Sequence, residues 1–212
     1  MTIALRTREE LSNTLTHLGG VLFTLSTAWI LLIRAYQTNW QTAMGVTIFL
    51  CGMLNMYSTS TVYHWILPGK KAKKVMRVLD HVGIYIMIAC SYTPILLSVV
   101  GGWLGWTVFG VLWAMVIGGA VYKIAAIGKY PRLSLLIYLV MGWSGVFVAG
   151  PVWEGLSPWA MGCILAEGLF YTGGTYFYTK DKKIRYFHAV WHVFVLLGSL
   201  AHWAAVCFIL YQ

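Results

Sequence analysis

The chain has 212 residues, of which 59% are hydrophobic and only 10% are charged, and its formal net charge is +9. Soluble domains are roughly one-quarter charged, so this chain has too few polar residues to cover a soluble globule. Its 11 Trp, 13 Tyr and 9 Phe also exclude intrinsic disorder, which requires low hydrophobicity. The composition therefore indicates an integral membrane protein.

Seven long apolar segments follow one another along the chain. Each approaches the ~20 residues that an α-helix needs to cross a bilayer, and their continuous pattern excludes a β-barrel. They cover residues 16–33, 42–67, 82–100, 101–122, 133–149, 157–178 and 186–211. Pro94 falls inside the third segment and is expected to kink it. The sequence predicts an all-α, single-domain bundle of seven transmembrane helices over residues 1–212.

Lysine and arginine are concentrated on one side of this predicted topology. The N-terminal segment and the loops at residues 70–77, 123–132 and 180–185 hold 14 of the 15 basic residues. By the positive-inside rule, we expect the N-terminus in the cytoplasm and the C-terminus outside. We interpret the positive charge as orientation in a cell membrane, plasma or inner, in preference to attraction for anionic lipid headgroups. No nucleic-acid partner is expected.

Ionisable side chains within the apolar segments are the first functional candidates, because a charge at membrane depth is costly. His64 lies four residues before Pro68, which places it ~6 Å inside the basic side of the membrane. Ser60 lies one turn deeper on the same helix face. Asp80 follows Arg77 at the basic start of the third segment. The three side chains are therefore expected at similar depth.

His188 and His192 lie one helical turn apart in the last segment, so both side chains point to one place. They fall ~5 and ~10 Å inside the membrane, which is the depth expected for His64. Such a pair arises by chance in packed helices, but the shared depth of three histidines favours a metal site. Three neutral imidazoles and a water form the open tetrahedral site of a catalytic zinc. The sequence therefore predicts bound Zn²⁺.

Other polar residues are expected to complete or support this site. Asp80 could hold the water or orient a ligand imidazole, and Ser60 could donate a hydrogen bond to the water or to a developing oxyanion. Glu9, Asn13 and His17 form one stripe at i, i+4 and i+8 that leads into the first segment. They are interpreted either as a polar helix start or as supports for the site.

Glu167 and His202 lie too far from the basic side to join the predicted site. At ~1.5 Å per residue they are ~20 and ~25 Å from it. We expect them to satisfy each other or backbone groups in the outer half of the membrane. Their expected role is structural or tuning.

Four stretches of the sequence carry a family resemblance. They read EELSNTLTH at residues 9–17, STVYH at 60–64, LDH at 79–81 and FHAVWHVFVLLGSLAH at 187–202. With the seven segments, they make the chain similar over essentially its whole length to the haemolysin III branch of the progestin and adiponectin receptor superfamily. The resemblance implies zinc ligands at His64, His188 and His192, with Asp80 and Ser60 nearby.

The resemblance also bears on function. It implies kinship with membrane alkaline ceramidases, which hydrolyse a lipid amide, and with adiponectin receptors, which sense a ligand; bacterial relatives are associated with haemolysis and membrane lipid homeostasis. The favoured hypothesis is a zinc-dependent hydrolase of a lipid amide or ester. The alternative is a zinc-stabilised receptor or regulator that binds a fatty acid or membrane lipid without turnover. A haemolytic pore ranks last, because the polar residues form no continuous path across the membrane. The oligomeric state is left open.

Overall fold

The fold is helical, with seven crossings of the bundle as predicted. The computed structural model describes residues 3–212, and the side chains of residues 7–212. The helices are α1 Ile3–Thr38, α2 Trp40–Trp65, α3 Lys71–Ile95, α4 Gly102–Ala126, α5 Pro131–Gly142, α6 Ala149–Gly155, α7 Pro158–Lys180 and α8 Phe187–Leu210. The two short helices α5 and α6 are successive halves of one crossing.

Among the described residues, five of the seven crossings are long and apolar enough to span a membrane. The other two, α2 and α7, are long enough but have no stretch of 18 residues that is as apolar. The α2 helix packs along α1 and α3, and α7 packs along α8. Polar side chains on such helices can face neighbouring helices instead of lipid. The chain is therefore a multi-pass membrane protein.

Short, capped turns set the helices antiparallel at the end of the bundle where α1 stops. Asn39 caps α2, its side-chain oxygen accepting a hydrogen bond from Thr42 N at 2.9 Å. Ser157 caps α7 in the same way, and Pro158 follows at the first helical position. Ser, Asn and Pro are favoured at these positions because they satisfy or remove free N–H groups.

The third crossing ends in an irregular turn that begins two residues after Pro94. After α3, the chain makes one π-helical turn, Leu96–Val100, before α4 begins. Proline lacks the N–H that a regular helix needs, which accounts for a wider turn at this point. Gly101 and Gly102 then adopt φ values of 60° and 53°, in the region that favours glycine. Two glycines thus suffice to connect adjacent crossings.

Gly105→Ala is expected to destabilise this connection by about 1–3 kcal/mol, the usual effect of an overpacked core. A Cβ atom at Gly105 would lie 2.3 Å from the carbonyl oxygen of Leu96, so the backbone must shift. Gly110→Ala, in the same helix, adds a methyl group in open space and is the matched control. Thermal unfolding in one detergent compares the two variants; equal melting temperatures would contradict the account.

The fifth crossing is interrupted, contrary to the predicted continuous segment at 133–149. A 3₁₀ turn, Ser144–Val148, separates α5 from α6, which ends at Gly155. The Tyr92 hydroxyl stabilises the break, donating to Gly142 O at 2.5 Å and accepting from Gly145 N at 2.8 Å. These two hydrogen bonds replace helical ones that the break removes. Irregular backbone inside a membrane requires such replacements.

Lys123 lies in α4 and is buried, whereas the sequence analysis placed it in a basic loop. Only 2% of its surface is exposed. Its Nζ donates a hydrogen bond to Ser134 Oγ at 2.7 Å and lies 5.3 Å from the centre of the Tyr138 ring. These contacts keep a cation inside the helix bundle. The exposed basic charge of this connection therefore comes from Lys129 and Arg132.

The two ends of the bundle differ in chemistry. Exposed tryptophans mark the end where α1 stops, and they are Trp40, Trp103, Trp153 and Trp159. Tryptophan favours the membrane–water interface, so these side chains fit an interfacial belt. The opposite end, where α2 stops and α3 begins, carries the lysine-rich loops and is called the basic end below.

Candidate metal centre

Three histidines from two helices meet near the basic end. His64 lies in the last turn of α2, and His188 and His192 lie in the first two turns of α8. One ring nitrogen from each lies within 4.8 Å of the others. His64 and His192 are buried, and His188 is partly buried. The structure thus brings together the three side chains that the sequence analysis predicted as metal ligands.

Two of these rings form hydrogen bonds to carboxylates through Nδ1. His64 Nδ1 lies 2.9 Å from Glu10 Oε2, which also accepts a hydrogen bond from Lys73 Nζ at 3.1 Å. His188 Nδ1 lies 2.8 Å from Asp181 Oδ2. With Nδ1 donating to a carboxylate, Nε2 keeps its lone pair. Both Nε2 atoms are buried and have no hydrogen-bond partner in the part of the chain that the structure describes.

The third ring is held by α1. His192 Nδ1 lies 3.2 Å from both the backbone oxygen of Asn13 and the hydroxyl of Thr16. The His17 ring stacks on the other side, with 3.6 Å between ring centroids and 15° between ring planes. Asn13 Nδ2 also lies 3.5 Å from His64 Nδ1. Two of the three predicted supporting residues, Asn13 and His17, thus contact the cluster.

This donor set fits a metal ion. Histidine ligands almost always donate their second ring nitrogen to a carboxylate or a carbonyl, and each of the three rings has such an acceptor here. The ring nitrogens lie within 4.8 Å of one another, against ~3.4 Å between ligand atoms of a tetrahedral zinc, so the rings would have to move together on binding. His64, His188 and His192 could therefore hold one metal ion.

Asp80 and Ser60 lie on neighbouring helices with unequal surroundings. Ser60 Oγ is buried without a hydrogen-bond partner among residues 7–212. Asp80 Oδ2 lies 3.6 Å from His81 Nδ1, and the residue lines a cavity. Of the two predicted roles of Asp80, orienting an imidazole falls to Glu10 and Asp181 in this structure. Holding a water molecule remains as its predicted role.

Glu10 and Asp181 were not among the residues predicted from the sequence. Glu9 was predicted as a support, but its Oε1 lies 3.5 Å from Arg185 Nε and joins α1 to the segment before α8. Glu10 shares a helix face with His17, seven residues later, and that spacing could have identified it. Asp181 lies in the loop before α8, so no helical periodicity relates it to His188.

A long cavity of about 490 Å³ reaches the neighbourhood of the cluster through His17, which stacks on His192, although none of the three histidines lines it. His17 and Asp80 line it at the basic end, and Glu167 and His202 line it farther along the bundle. Its walls are mainly apolar, aliphatic and aromatic side chains of the third, fifth and seventh crossings. Glu167 Oε2 lies 2.7 Å from His202 Nδ1, so these two residues pair with each other, as predicted.

The fold and site together define a class of protein, a seven-helix membrane protein with three converging histidines and an elongated apolar cavity that their neighbour His17 lines. The model of the family described as "Haemolysin-III related" matches residues 5–203. The chain belongs to this haemolysin III family, within the progestin and adiponectin receptor superfamily.

Individual relatives resemble the chain over most of its length. A hemolysin-3 homolog of Bacillus subtilis (strain 168) is 39% identical over 203 residues, covering 95% of this chain and 94% of that protein. The human monocyte to macrophage differentiation factor is 31% identical over 193 residues, covering 86% and 76%. The rice heptahelical transmembrane protein ADIPOR2 is 27% identical over 180 residues, covering 75% and 79%. The similarity thus extends from bacteria to plants and animals.

Proposed function

We propose that this protein is a zinc-dependent hydrolase of a lipid amide or ester that acts in membrane lipid homeostasis. The observation that carries the proposal is the convergence of the three histidines next to His17, which stacks on His192 and lines a cavity of about 490 Å³. The cavity is long and mainly apolar, which suits an acyl chain. Nε2 of His64 and of His188 has no hydrogen-bond partner among the described residues, so both atoms are available to a metal ion.

His64, His188 and His192 hold the zinc in this proposal, and Glu10, Asp181 and the Asn13 carbonyl fix their rings. Zinc held by these residues would supply a Lewis acid that polarises a carbonyl and activates a water molecule. Fixed rings reduce the reorganisation needed when charge develops during the reaction.

Two polar side chains near the cluster, Asp80 and Ser60, have the remaining catalytic roles in this proposal. Asp80 positions the attacking water and takes its proton, since it is a carboxylate on the cavity wall. Ser60 donates a hydrogen bond to the developing oxyanion with its otherwise unpartnered hydroxyl. The apolar walls bind the acyl chain and exclude bulk water. The headgroup approaches from the basic end, which the positive-inside rule places in the cytoplasm.

Hydrolysis by purified protein in proteoliposomes tests this function. Wild type is expected to release free fatty acid from at least one lipid in a panel of ceramides, other N-acyl amides and acyl esters, measured by mass spectrometry. His188→Ala should abolish the release. Trp65→Ala, which changes an exposed side chain next to His64, should preserve it. Zinc-loaded wild type that hydrolyses none of the panel would favour the receptor or regulator instead.

Glu10→Gln and Asp181→Asn are each expected to weaken zinc binding by about 10–100-fold, the usual effect of removing a group that orients a histidine ligand. The ligands themselves remain, so binding is weakened and not abolished. Competition with a calibrated zinc chelator gives the dissociation constants. Glu154→Gln, an exposed acid at the other end of the bundle, is the control. Unchanged zinc affinity in both variants would contradict a role in zinc binding for the hydrogen bonds between Glu10 and His64 and between Asp181 and His188.

A further inference from the structure

The cavity has a second polar end, well separated from the histidine cluster. His202 lies ten residues after His192 in α8, which is ~15 Å along the helix. Glu167 faces His202 from α7, with Oε2 lying 2.7 Å from His202 Nδ1. Both residues line the cavity, whose walls toward the cluster include Met56, Met87 and other aliphatic side chains.

The hydrogen bonds of this pair are incomplete. Glu167 Oε2 accepts from His202, whereas no residue in the described part of the chain bonds to Oε1. The Glu167 side chain is 13% exposed, against 2% for His202, so the carboxylate keeps surface toward the cavity. His202 Nε2 is buried and has no partner among the described residues. A carboxylate oxygen in apolar surroundings is costly unless a donor reaches it.

The chemistry of the pair selects the group that would bind there. A carboxylate accepts hydrogen bonds, so its ligand must donate one. A carboxylate or phosphate of a ligand would be repelled by the charge of Glu167. A cation at this depth would carry a large desolvation cost. A neutral donor on an otherwise apolar chain, above all a hydroxyl group, meets all three conditions.

We propose that Glu167 and His202 form a binding site for a hydroxyl group on the chain of a lipid ligand. The lipid would lie along the cavity, with its acyl group at the basic end that His17 and Asp80 line, next to the histidine cluster, and the hydroxyl ~15 Å away. The position of the acyl group rests on the proposed function, whereas the hydroxyl site does not. The substrate class is accordingly an acyl lipid hydroxylated near the far end of its chain.

Paired probes test this site directly. A homologous series of ω-hydroxy fatty acids is compared with the unsubstituted acids of equal chain length, each competing for protein in nanodiscs against a tritiated ω-hydroxy acid. At the matching chain length, we expect the hydroxy acid to bind about 10–100-fold more tightly, as for a hydrogen bond to a charged group. Glu167→Leu should remove this preference, and the matched control Glu154→Leu should keep it.

The outcomes separate this inference from the proposed function. If wild type does not prefer the ω-hydroxy acid to the unsubstituted acid at any chain length, the hydroxyl site is overturned. Water would then be the partner of Glu167. A preference that persists in folded Glu167→Leu would overturn it too. Should that variant not fold, Glu167→Gln keeps the size, removes the charge and is expected to reduce the preference. In His188→Ala, the hydroxy acid and the unsubstituted acid should both bind less tightly, but the ratio of their dissociation constants should stay the same. The hydroxyl site can therefore be tested even if the protein proves not to be a hydrolase.

Discussion

His64→Ala, His188→Ala and His192→Ala are each expected to purify without zinc from conditions in which wild type holds one zinc per chain. Each variant leaves two imidazoles, and losing one ligand should weaken zinc binding by at least ~100-fold. The rings lie at nearly equal distances, 4.7 to 5.1 Å between centroids, so we expect similar losses. Elemental mass spectrometry of chelator-free preparations measures the metal content.

His81→Ala is the matched control for this loss. His81 lies near the same end of the bundle, but its Nδ1 is 2.8 Å from the Arg77 carbonyl oxygen and it is not part of the cluster. This variant should retain its zinc. A full zinc complement in His188→Ala would show that the metal is bound elsewhere, and iron in wild type would keep the site but contradict its assignment to zinc.

Asp80→Asn is expected to lower kcat by about 10²–10⁴-fold while the protein keeps its zinc, because a general base is lost and no metal ligand is removed. Ser60→Ala should lower kcat by about 10²–10³-fold through the loss of one oxyanion donor. In both variants KM should change far less, since the acyl chain still occupies the same cavity. Steady-state hydrolysis in proteoliposomes, paired with metal content, provides the measurement.

Because activity and metal content are measured on the same preparations, two results would contradict this prediction. Asp80→Asn that has lost its zinc would place Asp80 among the groups that hold the metal. Full activity in the zinc-loaded variant would leave the attacking water without the proposed base. Ser144→Ala, in the 3₁₀ turn of the fifth crossing, is the control for loss of a hydroxyl group.

The histidine cluster could be predicted because depth along a transmembrane helix can be counted from its end. His188 and His192 share a face through their i, i+4 spacing, and His64 reaches the same depth from α2. Equal depth places the rings in one layer, but α2 and α8 are not neighbours in the sequence, and their proximity comes from both helices packing against α1. The same counting separated Glu167 and His202 from the cluster, and the structure confirms their pairing.

Other features could not be read from depth or periodicity. The break between α5 and α6 depends on the Tyr92 hydroxyl, which belongs to a different helix. Lys123 is buried because Ser134 and aromatic rings surround it, and apolar runs in a sequence do not reveal such partners. Asp181 reaches His188 through a loop whose course has no helical repeat. Each depends on a contact between distant or irregular segments.

X-ray absorption at the zinc edge of purified wild type tests the central claim most directly. The account predicts one zinc per chain, with imidazole ligands at ~2.0–2.1 Å and the scattering pattern of three histidine rings. A folded protein that binds no metal under zinc-replete conditions, or zinc with sulfur ligands at ~2.3 Å, would contradict it. Either of those results would return the three histidines to a packing role at the basic end of the bundle.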